Sequence, residues 1–371
     1  MSADKVRVAV IGCGDHGRGG HLTAYRQLIE VGERAEIVAV CDQSVERARS
    51  TAEAFGVRAW YSDHQAMLRE IQPDAVSIAT PPLVHREQTL DALAAGAHVL
   101  CEKPFAMNAA EAEEMVAAAD QAARVLSMGL QNRYNPAARY LRALLAGDRS
   151  ALPTAFRDVS LPEVGEVYHT RVWCGHVLRL PPSRHFFNPE LAGGGVIAAT
   201  AVHILDAVLW MLGNPAITTV SASIFARTPK MPLPPVPFAT REEAAREFRV
   251  EDFAFGLVRF ANGTSLSIEA NWFLHPTSRG TGAQFLGTAG VAEYGPLAVR
   301  LDDGKAARDV TPGNELVTER RGHYFLEVAR DFLHAVRTGK PTVIRGQQII
   351  QVQRLMDCLY ESARTQREVE F

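Results

Sequence analysis

The sequence feature that most constrains this chain is a glycine-rich turn directly after its first apolar run. Val6–Ile11 has the length of a buried strand and leads into Gly12-Cys-Gly14-Asp-His-Gly17, after which the residues have helical spacing. The first glycine permits a tight turn, the second lets the backbone approach phosphates, and the third lets helix and strand pack closely. In this strand–turn–helix context the pattern predicts a site for the pyrophosphate of a dinucleotide.

An acidic residue after the second apolar run bears on the choice of dinucleotide. Asp42 follows Ile37–Cys41 and lies 25 residues beyond Gly17. A carboxylate at this position accepts hydrogen bonds from the ribose hydroxyls and repels a 2′-phosphate. The sequence therefore favours NAD, and Arg47, one turn into the next helix, leaves NADP as an alternative.

Residues 6–130 alternate between strand-length apolar runs and segments with helical spacing. The predicted strands are Val6–Ile11, Ile37–Cys41, Ala75–Ile78, His98–Cys101 and Val125–Gly129. The predicted helices cover 17–31, 44–55, 64–70, 84–95 and 109–123. Such alternation is typical of parallel βαβ units with right-handed crossovers. We therefore expect an α/β fold that begins with a Rossmann domain over 1–130, built on a doubly wound parallel sheet.

The pattern changes after residue 130, where longer apolar runs follow one another without intervening helices. The predicted strands cover 154–160, 166–173, 217–225, 251–261 and 264–272, and the predicted helices cover 136–146, 196–212, 323–338 and 346–364. The pair Asn262-Gly263 predicts a hairpin between the last two strands. We expect a second, α+β domain over 131–371 with a mostly antiparallel sheet.

Composition narrows the classes of function. The chain has 39 basic and 42 acidic side chains and a net charge of −3, whereas nucleic-acid-binding surfaces are basic. No apolar run approaches the roughly 20 residues that cross a bilayer, and the early strand at Val6 leaves no room for a signal peptide. Five scattered cysteines without a C-x-x-C pair are typical of reduced thiols. We expect a cytoplasmic protein that binds neither nucleic acid nor membranes.

Four further motifs occur in the order found in one known family. They are Ala79-Thr80-Pro81-Pro82 with His85, Cys101-Glu102-Lys103-Pro104, Asn132-Arg133-Tyr134-Asn135-Pro136, and Gly193-Gly194-Gly195 followed by His203 and Asp206. Together with the glycine-rich turn, they lie between Gly12 and Asp206, and the likeness itself spans nearly the whole chain. The arrangement resembles the glucose–fructose oxidoreductase, inositol dehydrogenase and rhizopine-catabolism (Gfo/Idh/MocA) family.

The resemblance implies an NAD(P)-dependent oxidoreductase acting on a sugar, a cyclitol or a sugar derivative. In such proteins the second domain is built on a large open sheet, which commonly carries dimer or tetramer contacts. The lysine of the Glu-Lys-Pro motif reaches the nicotinamide ribose and the reacting hydroxyl. The residues expected to bind the cofactor are Gly12, Gly14, Asp15, His16, Gly17, Asp42, Thr80, Pro81, Pro82, His85, Glu102, Lys103 and Gln131.

The position of Lys103 agrees with a catalytic role. It follows the carboxyl end of a predicted strand, where open α/β sheets bind their ligands. A lysine near an oxidised nicotinamide has a lowered pKa, which suits proton transfer. We predict Lys103 and His203 as the catalytic residues, with Lys103 accepting the hydroxyl proton and His203 binding the substrate or sharing that proton.

One residue departs from the family pattern at the place where chemistry is expected. The family has an aspartate four residues before the histidine, where this chain has Ala199. Residues 199 and 203 lie on one face of a helix, so His203 loses a carboxylate that would orient and charge it. Thr200, Tyr168 and Asp206 are candidates to replace part of that contact, and we assign no particular substrate.

The segment 168–188 is rich in aromatic, histidine and arginine side chains. In the family it forms one wall of the substrate pocket, where arginine can hold a carboxylate or a phosphate. His169, Cys174, His176 and His185 match no standard metal-ligand spacing, and we expect no metal. The predicted substrate-binding residues are Lys103, Arg133, Tyr168, Arg171, Trp173, Arg184, Thr200 and His203.

Three functions are compatible with these residues. The favoured one is hydride transfer between nicotinamide and a carbinol carbon of a sugar-like ring. The second is redox-assisted cleavage of a glycoside with tightly bound NAD. The third is a non-catalytic, NAD-binding regulatory subunit that lost catalysis together with the acid at position 199.

Overall fold

A computed structural model describes residues 5–177, 181, 183–227, 236, 239–274, 280–302, 304–313 and 324–371. The chain divides into two compact units, of which the first comprises residues 1–131 and 322–353 and the second 132–321 and 354–371. The sequence analysis assigned all of 131–371 to the second domain. The contacts instead group residues 322–353 with the first unit.

The first unit contains a six-stranded, entirely parallel sheet. Its strands are β1 Val6–Ile11, β2 Ala35–Cys41, β3 Ala59–Tyr61, β4 Ala75–Ile78, β5 His98–Cys101 and β6 Leu126–Met128. They lie in the order β3-β2-β1-β4-β5-β6, which confirms the predicted doubly wound sheet. Because the strand order reverses between β1 and β4, the carboxyl ends of these strands form the crevice where such sheets bind ligands.

Five helices alternate with these strands, and three of them begin at a side chain that caps them. The five are α1 Thr23–Glu30, α2 Val45–Phe55, α3 His64–Ile71, α4 His85–Ala94 and α5 Ala109–Gln121. Ser44, Asp63 and Asn108 each accept a hydrogen bond from a backbone N–H in the first turn of the helix that follows, which satisfies a donor left open at the helix start. The short edge strand β3 escaped prediction because its three residues show no burial pattern of their own.

The second unit contains a nine-stranded sheet. Its strands are β7 Val167–Val177, β8 Ile217–Phe225, β9 Phe253–Phe260, β10 Ser265–Leu274, β11 Gly282–Gly287, β12 Gly290–Tyr294, β13 Ala298–Asp302, β14 Ala307–Asp309 and β15 Val369–Glu370. Among the described strands of this second sheet, only β7 and β10 pair in parallel, so the sheet is mostly antiparallel, as predicted. The predicted hairpin is also present, since β9 and β10 are antiparallel neighbours joined at Asn262-Gly263.

The strand predicted over 154–160 is wrong. Thr154–Phe156 forms a single helical turn and the residues after it are irregular. Pro153 and Pro162 flank the apolar run, and proline cannot donate a hydrogen bond to a sheet. A short run confined between two prolines therefore has little capacity to pair.

The described helices that follow β6 are α6 Pro136–Ala146, the short α7 Pro189–Ala192, α8 Val202–Met211, α9 Arg241–Glu247, α10 Tyr324–Thr338 and α11 Gly346–Thr365. Four of them agree with prediction, whereas α7 and α9 were not predicted. Among the described residues, Pro189–Met211 is a stretch long and apolar enough to cross a membrane, by length and composition only. Most of it is buried inside the unit, as expected of a core helix.

Candidate active site

The glycine-rich turn after β1 has the shape that a dinucleotide requires. Gly12 has φ +97°, and a Cβ at Gly17 would lie 1.9 Å from the carbonyl oxygen of Gly12. Both positions therefore require glycine. No atom lies within 4 Å of the position that a Cβ would take at Gly14, and Asp15 beside it is exposed. The turn thus offers backbone to a phosphate without obstruction.

Asp42 is held at the end of β2 by backbone groups on two segments. Its Oδ2 accepts the N–H of Cys13 and its Oδ1 accepts the N–H of Ser44, both at 2.9 Å. The guanidinium of Arg47 lies 3.3 Å from both oxygens. The carboxylate is therefore fixed beside the glycine-rich turn, with one cation within reach.

The loop after β4 is tied to the loop after β5 by a buried imidazole. Nε2 of His85 lies 2.8 Å from the carbonyl oxygen of Thr80, and Nδ1 lies 3.0 Å from that of Pro104. His85 is fully buried, so the structure places it beneath the loops, where it is not available to a cofactor. Pro81 is exposed and Pro82 is buried at the start of a short helical turn.

Lys103 follows the carboxyl end of β5, as predicted. It is partly buried, and its backbone N–H donates to Oε2 of the buried Glu102 at 3.1 Å. Burial lowers the pKa of the Lys103 ammonium, and the negative charge of Glu102 opposes that shift. An amine with a lowered pKa at this edge of the sheet, such as that of Lys103, can act as a base. Gln131, another predicted cofactor residue, is partly exposed at the first position of the helical turn after β6.

The carboxylate of Glu102 binds two histidines that come from the first helical segment. Nε2 of His16 and Nε2 of His21 each lie 3.0 Å from its Oε1. Burial alone would raise the pKa of Glu102, but the two histidines hold it well below its usual value. A Cβ at Gly129, the residue directly after β6, would lie 2.2 Å from Oε1 of Glu102. The place of this carboxylate therefore requires glycine at position 129. We call His16, His21 and Glu102 the histidine–glutamate cluster.

Hydrogen bonding accounts for the histidine–glutamate cluster better than metal binding does. The ligand atoms of its three residues lie within 4.8 Å of one another, close enough to surround a cation. A metal-bound histidine nearly always donates its other ring N–H to an acceptor. Among the described residues, Nδ1 of the buried His21 has no hydrogen-bond partner. The second shell that a metal site needs is therefore missing at His21.

In the second unit, Thr200 is held by the sheet on which its helix packs. Its hydroxyl accepts a hydrogen bond from the indole Nε1 of Trp272 on β10 at 2.8 Å. Ile197–Ala201 forms a π turn before α8, and a second π turn, Gly17–Leu22, precedes α1. Single π turns recur at functional sites, and these two carry Thr200 and His21. The sequence predicted ordinary helices at both places.

His203 lies on the first turn of α8 and is partly exposed. The side-chain amide of Asn132 donates to its carbonyl oxygen at 3.2 Å. Ala199, four residues earlier, carries no polar atom beyond its backbone. The hydrogen bond from Asn132 thus fixes the backbone of His203. Position 199 offers no equivalent of the carboxylate found in the family.

Arg133 lies in the interior, which does not fit its predicted role in binding substrate. Its Nε donates to Oδ2 of Asp206 at 2.9 Å, and both side chains are completely buried. The guanidinium thus joins the segment before α6 to α8. Asp206 is occupied in the same pair, so it is not the replacement for the missing acid that the sequence suggested.

Two predicted substrate residues lie on the face of the second sheet opposite to α8. Thr170, Val172 and Cys174 are buried and pair with positions of β10 that lie on the same face as Trp272, the face that contacts Thr200. Arg171 and Trp173 alternate with them and therefore point to the other face. Arg171 donates to the side chain of Gln284 on that face.

The remaining predicted residues of this region are scattered. His169 shares the face of Arg171 and contacts the hydroxyls of Ser265 and Ser267. Tyr168 is exposed, and Arg184 forms an exposed ion pair with Glu247 at 2.8 Å. The side chain of His176 lies outside the described residues. Strand alternation separates His169 from Cys174, so these two residues do not share a metal site.

A buried carboxylate that the sequence analysis missed fixes the start of the π turn before α8. The carboxylate of Glu251 accepts the N–H groups of Gly195 and Ile197 and the hydroxyl of Tyr360, at 2.8 to 3.0 Å. Burial raises the pKa of Glu251, and these donors oppose the shift. The three partners lie 54 to 109 residues away along the chain, so no local pattern marks the contact.

Two family profiles match the sequence. Residues 6–130 match the oxidoreductase family Gfo/Idh/MocA with its NAD-binding Rossmann fold, and residues 159–293 match a C-terminal domain of the same family. Between them they cover the first sheet and β7 to β11 of the second. The matches fall on the regions that carry the glycine-rich turn, Lys103 and His203.

Relatives of established activity align over most of the chain. D-glucoside 3-dehydrogenase of Escherichia coli K12 is 31% identical over 100% of this chain and 99% of its own length. 1,5-anhydro-D-fructose reductase of Ensifer adhaerens is 30% identical over 75% of this chain and 77% of its own length. Levoglucosan dehydrogenase, solved with NADH and levoglucosan, has the same fold, with a TM-score of 0.80, 22% identity and 99% coverage of both chains.

Proposed function

The chain belongs to the Gfo/Idh/MocA oxidoreductase family and is an NAD(P)-dependent oxidoreductase that acts on CH–OH groups of sugars or cyclitols, and from this premise we propose that Lys103 is its proton acceptor. The observation that carries the proposal is the partly buried ammonium of Lys103 at the carboxyl end of β5, in the sheet whose first turn fits a dinucleotide. Bound nicotinamide supplies a hydride acceptor at C4. The protein must then align the carbinol and remove its proton.

The described residues fit a dinucleotide and favour NAD over NADP. Backbone at Gly14 borders open space for a pyrophosphate. The buried Asp42 is fixed by Cys13 and Ser44, and its charge favours two ribose hydroxyls over a 2′-phosphate. Arg47 is already paired with that carboxylate, which weakens its pull on a phosphate.

In the proposed mechanism Lys103 acts as a neutral amine toward the substrate. Its lone pair takes the hydroxyl proton as the carbinol is oxidised, and it returns that proton when the reaction runs backward. Burial favours the neutral amine by lowering the pKa of Lys103. His85 assists as a positioning residue, because it joins the loop of Thr80 to the loop that follows Lys103.

We propose that His203 binds a substrate hydroxyl rather than acting as the principal base. The family's acid is replaced by Ala199, so position 199 supplies no carboxylate to orient the ring of His203 for proton transfer. Thr200, held by Trp272, presents a further hydroxyl on the same segment. Their anchoring on α8 suits the binding of several ring hydroxyls, as in a pyranoside or a cyclitol.

A panel of substrates tests this function directly. Methyl glucosides, free aldoses, 1,5-anhydro sugars and inositols are incubated with NAD or NADP, and NADH or NADPH is followed by its absorbance. A dehydrogenase forms reduced cofactor in a 1:1 ratio with oxidised sugar. Release of aglycone without net NADH would instead indicate redox-assisted glycoside cleavage. Tight NAD binding without turnover of any compound would indicate a regulatory subunit.

We also propose that the open face of the second sheet mediates self-association. Phe255 and Phe225 on this face are 50% and 39% exposed, and exposed aromatic patches are typical of protein interfaces. Sedimentation velocity of the wild type and of Phe255→Glu tests the surface. A dimer or tetramer that dissociates in the variant agrees with the proposal, and a monomeric wild type contradicts it.

A further inference from the structure

The members of the histidine–glutamate cluster differ in their access to water. The side chain of His16 is 54% exposed, whereas those of His21 and Glu102 are 0% and 5% exposed. Of these three groups, His16 is therefore the one that exchanges protons freely with solvent. It lies immediately before Gly17 in the glycine-rich turn.

The charges around His16 distinguish it electrostatically from the other two members of the cluster. Glu102 raises the pKa of His16, while burial and the charge of Lys103 oppose that shift. Burial lowers the pKa of His21, which keeps that ring neutral. Phe325 packs edge-on against both imidazoles with centroid distances of 5.2 and 4.6 Å and adds no charge.

Among the residues that the structure describes, two further charged groups flank His16 in its own turn. Asp15 and Arg18 flank it along the chain, and both are exposed. Exposed charges of opposite sign act through high-dielectric solvent and largely cancel. Glu102 and Lys103 are more enclosed, so they dominate the field at the imidazole.

We propose that His16 makes the relative affinity of this enzyme for oxidised and reduced dinucleotide depend on pH. The inference rests on the proposed function, which puts the nicotinamide beside Lys103. Nε2 of His16 lies 3.0 Å from Oε1 of Glu102, the residue directly before Lys103, so a charge on that ring acts on His16 as well. The oxidised ring is cationic and the reduced ring is neutral, while the rest of the two molecules is the same.

The consequence is a preference that follows the protonation of His16. A protonated His16 repels the oxidised ring and leaves the affinity for the reduced ring nearly unchanged, so acid favours the reduced form. Reduction of a carbonyl also consumes a proton. Both effects therefore favour sugar reduction at lower pH and sugar oxidation at higher pH.

Dissociation constants for NAD and NADH between pH 6 and 8.5 test the inference without any substrate. For the wild type we expect the ratio Kd(NAD)/Kd(NADH) to rise about threefold to tenfold from pH 8.5 to pH 6, the size expected for two charges in partly solvated surroundings. In His16→Gln the amide still donates to Glu102 but carries no titratable charge, so the ratio should change at most about half as much as in the wild type, and Lys103 accounts for the dependence that remains.

His64→Gln is the matched control. His64 also pairs with a carboxylate, that of Asp91 at 2.8 Å, but it lies on α3 and not on the glycine-rich turn. This variant should reproduce the pH dependence of the wild type. The ratio is insensitive to a general loss of affinity, because such a loss affects both dinucleotides.

Titration of the His16 ring by NMR in the wild type avoids dependence on one variant. The pKa of His16 should be lower in the complex with NAD than in the complex with NADH. The inference is overturned if His16 titrates identically in both complexes, or if His16→Gln keeps the pH dependence of the wild type. Failure of the wild type to bind either dinucleotide would overturn the proposed function itself, whereas binding of both with a constant ratio overturns only this inference.

Discussion

Nε2 of His85 lies 2.8 Å from the carbonyl oxygen of Thr80, and the ring is completely buried. The other ring nitrogen faces the carbonyl of Pro104 at 3.0 Å, so one imidazole links two loops of the dinucleotide unit. A neutral imidazole donates a single hydrogen bond, so His85→Leu removes the donor of one carbonyl and the contact with the other, at a cost of about 1–3 kcal/mol. We expect a lower kcat, a nearly unchanged KM and a reduced free energy of urea unfolding.

The conservative variant separates positioning by His85 from simple destabilisation. His85→Gln retains an N–H donor that can reach one carbonyl, so it should recover part of kcat. If His85→Leu and His85→Gln lose stability equally but both retain full kcat, His85 does not position the loops.

The buried ion pair of Arg133 and Asp206 is expected to contribute to stability and not to substrate binding. Removing one member leaves the other charge buried and unpaired, which costs about 3–5 kcal/mol. Asp206→Asn should therefore lower the free energy of unfolding strongly, as measured by urea titration. Arg133→Met/Asp206→Leu should recover most of that loss.

An exposed ion pair provides the comparison for that loss. Arg86 pairs with Glu114 on the surface, and such pairs contribute about 0–1 kcal/mol. Arg86→Ala should accordingly leave the unfolding curve nearly unchanged. A change in KM in the Arg133→Met/Asp206→Leu variant, with its stability restored, would return Arg133 to the substrate site.

Asp42 and Arg47 are expected to set the choice between NAD and NADP. Asp42→Ser removes the charge that repels a 2′-phosphate and releases Arg47, which lies 3.3 Å from the carboxylate. The ratio Kd(NADP)/Kd(NAD) should fall about tenfold or more, since a charge-assisted hydrogen bond contributes about 1.5–3 kcal/mol. Fluorescence titration measures both constants.

The double variant Asp42→Ser/Arg47→Ala identifies the source of any gain. Without the guanidinium, the improved binding of NADP should disappear. If the double variant binds NADP as tightly as Asp42→Ser alone, Arg47 does not contact the phosphate, and another cation must be sought near the turn.

The buried histidines predict loss of stability in mild acid. Burial lowers the pKa of His21 and of His85 below the ordinary value of 6.5. The unfolded chain therefore binds more protons than the folded chain as pH falls through about 6.5, and the free energy of unfolding decreases. The pKa of His16 is shifted in the opposite direction, so its stabilising effect is complete below pH 6.5 and is lost only as pH rises through its raised pKa.

Urea unfolding between pH 7.5 and 5 measures this dependence. Each neutral buried histidine contributes a slope of up to about 1.4 kcal/mol per pH unit. His85→Gln should reduce the slope by up to that amount while remaining less stable at pH 7.5. An unchanged slope in this variant would mean that His85 is protonated in the folded state.

Local pattern was sufficient to predict the first unit almost completely. The bounds of β1, β4 and β5 agree with the apolar runs of the sequence, because strands buried on both faces are continuous apolar segments. The glycine-rich turn was equally predictable, since the backbone itself requires Gly12 and Gly17. Asp42 was predictable as a cofactor-binding residue because it lies directly after β2.

Contacts between distant segments could not be predicted from local pattern. Phe325 packs against His16 although about 300 residues separate them, and Glu251 binds Tyr360 across 109 residues. The side of the sheet on which Arg171 lies depends on the register of β7 with β10, which the sequence of β7 does not contain. An arginine such as Arg171 suggests ligand binding because of its residue type, and it continues to do so until the structure shows which partner it contacts.

Replacement of Lys103 tests the central claim most directly. Lys103→Met keeps an unbranched side chain and removes the amine, so we expect kcat to fall by about a hundredfold to ten-thousandfold, with the NADH dissociation constant changed by less than about threefold. The measurement is steady-state turnover of the best substrate from the panel, together with NADH fluorescence titration. Turnover within a few-fold of the wild type, with NADH still bound, would show that Lys103 is not the proton acceptor.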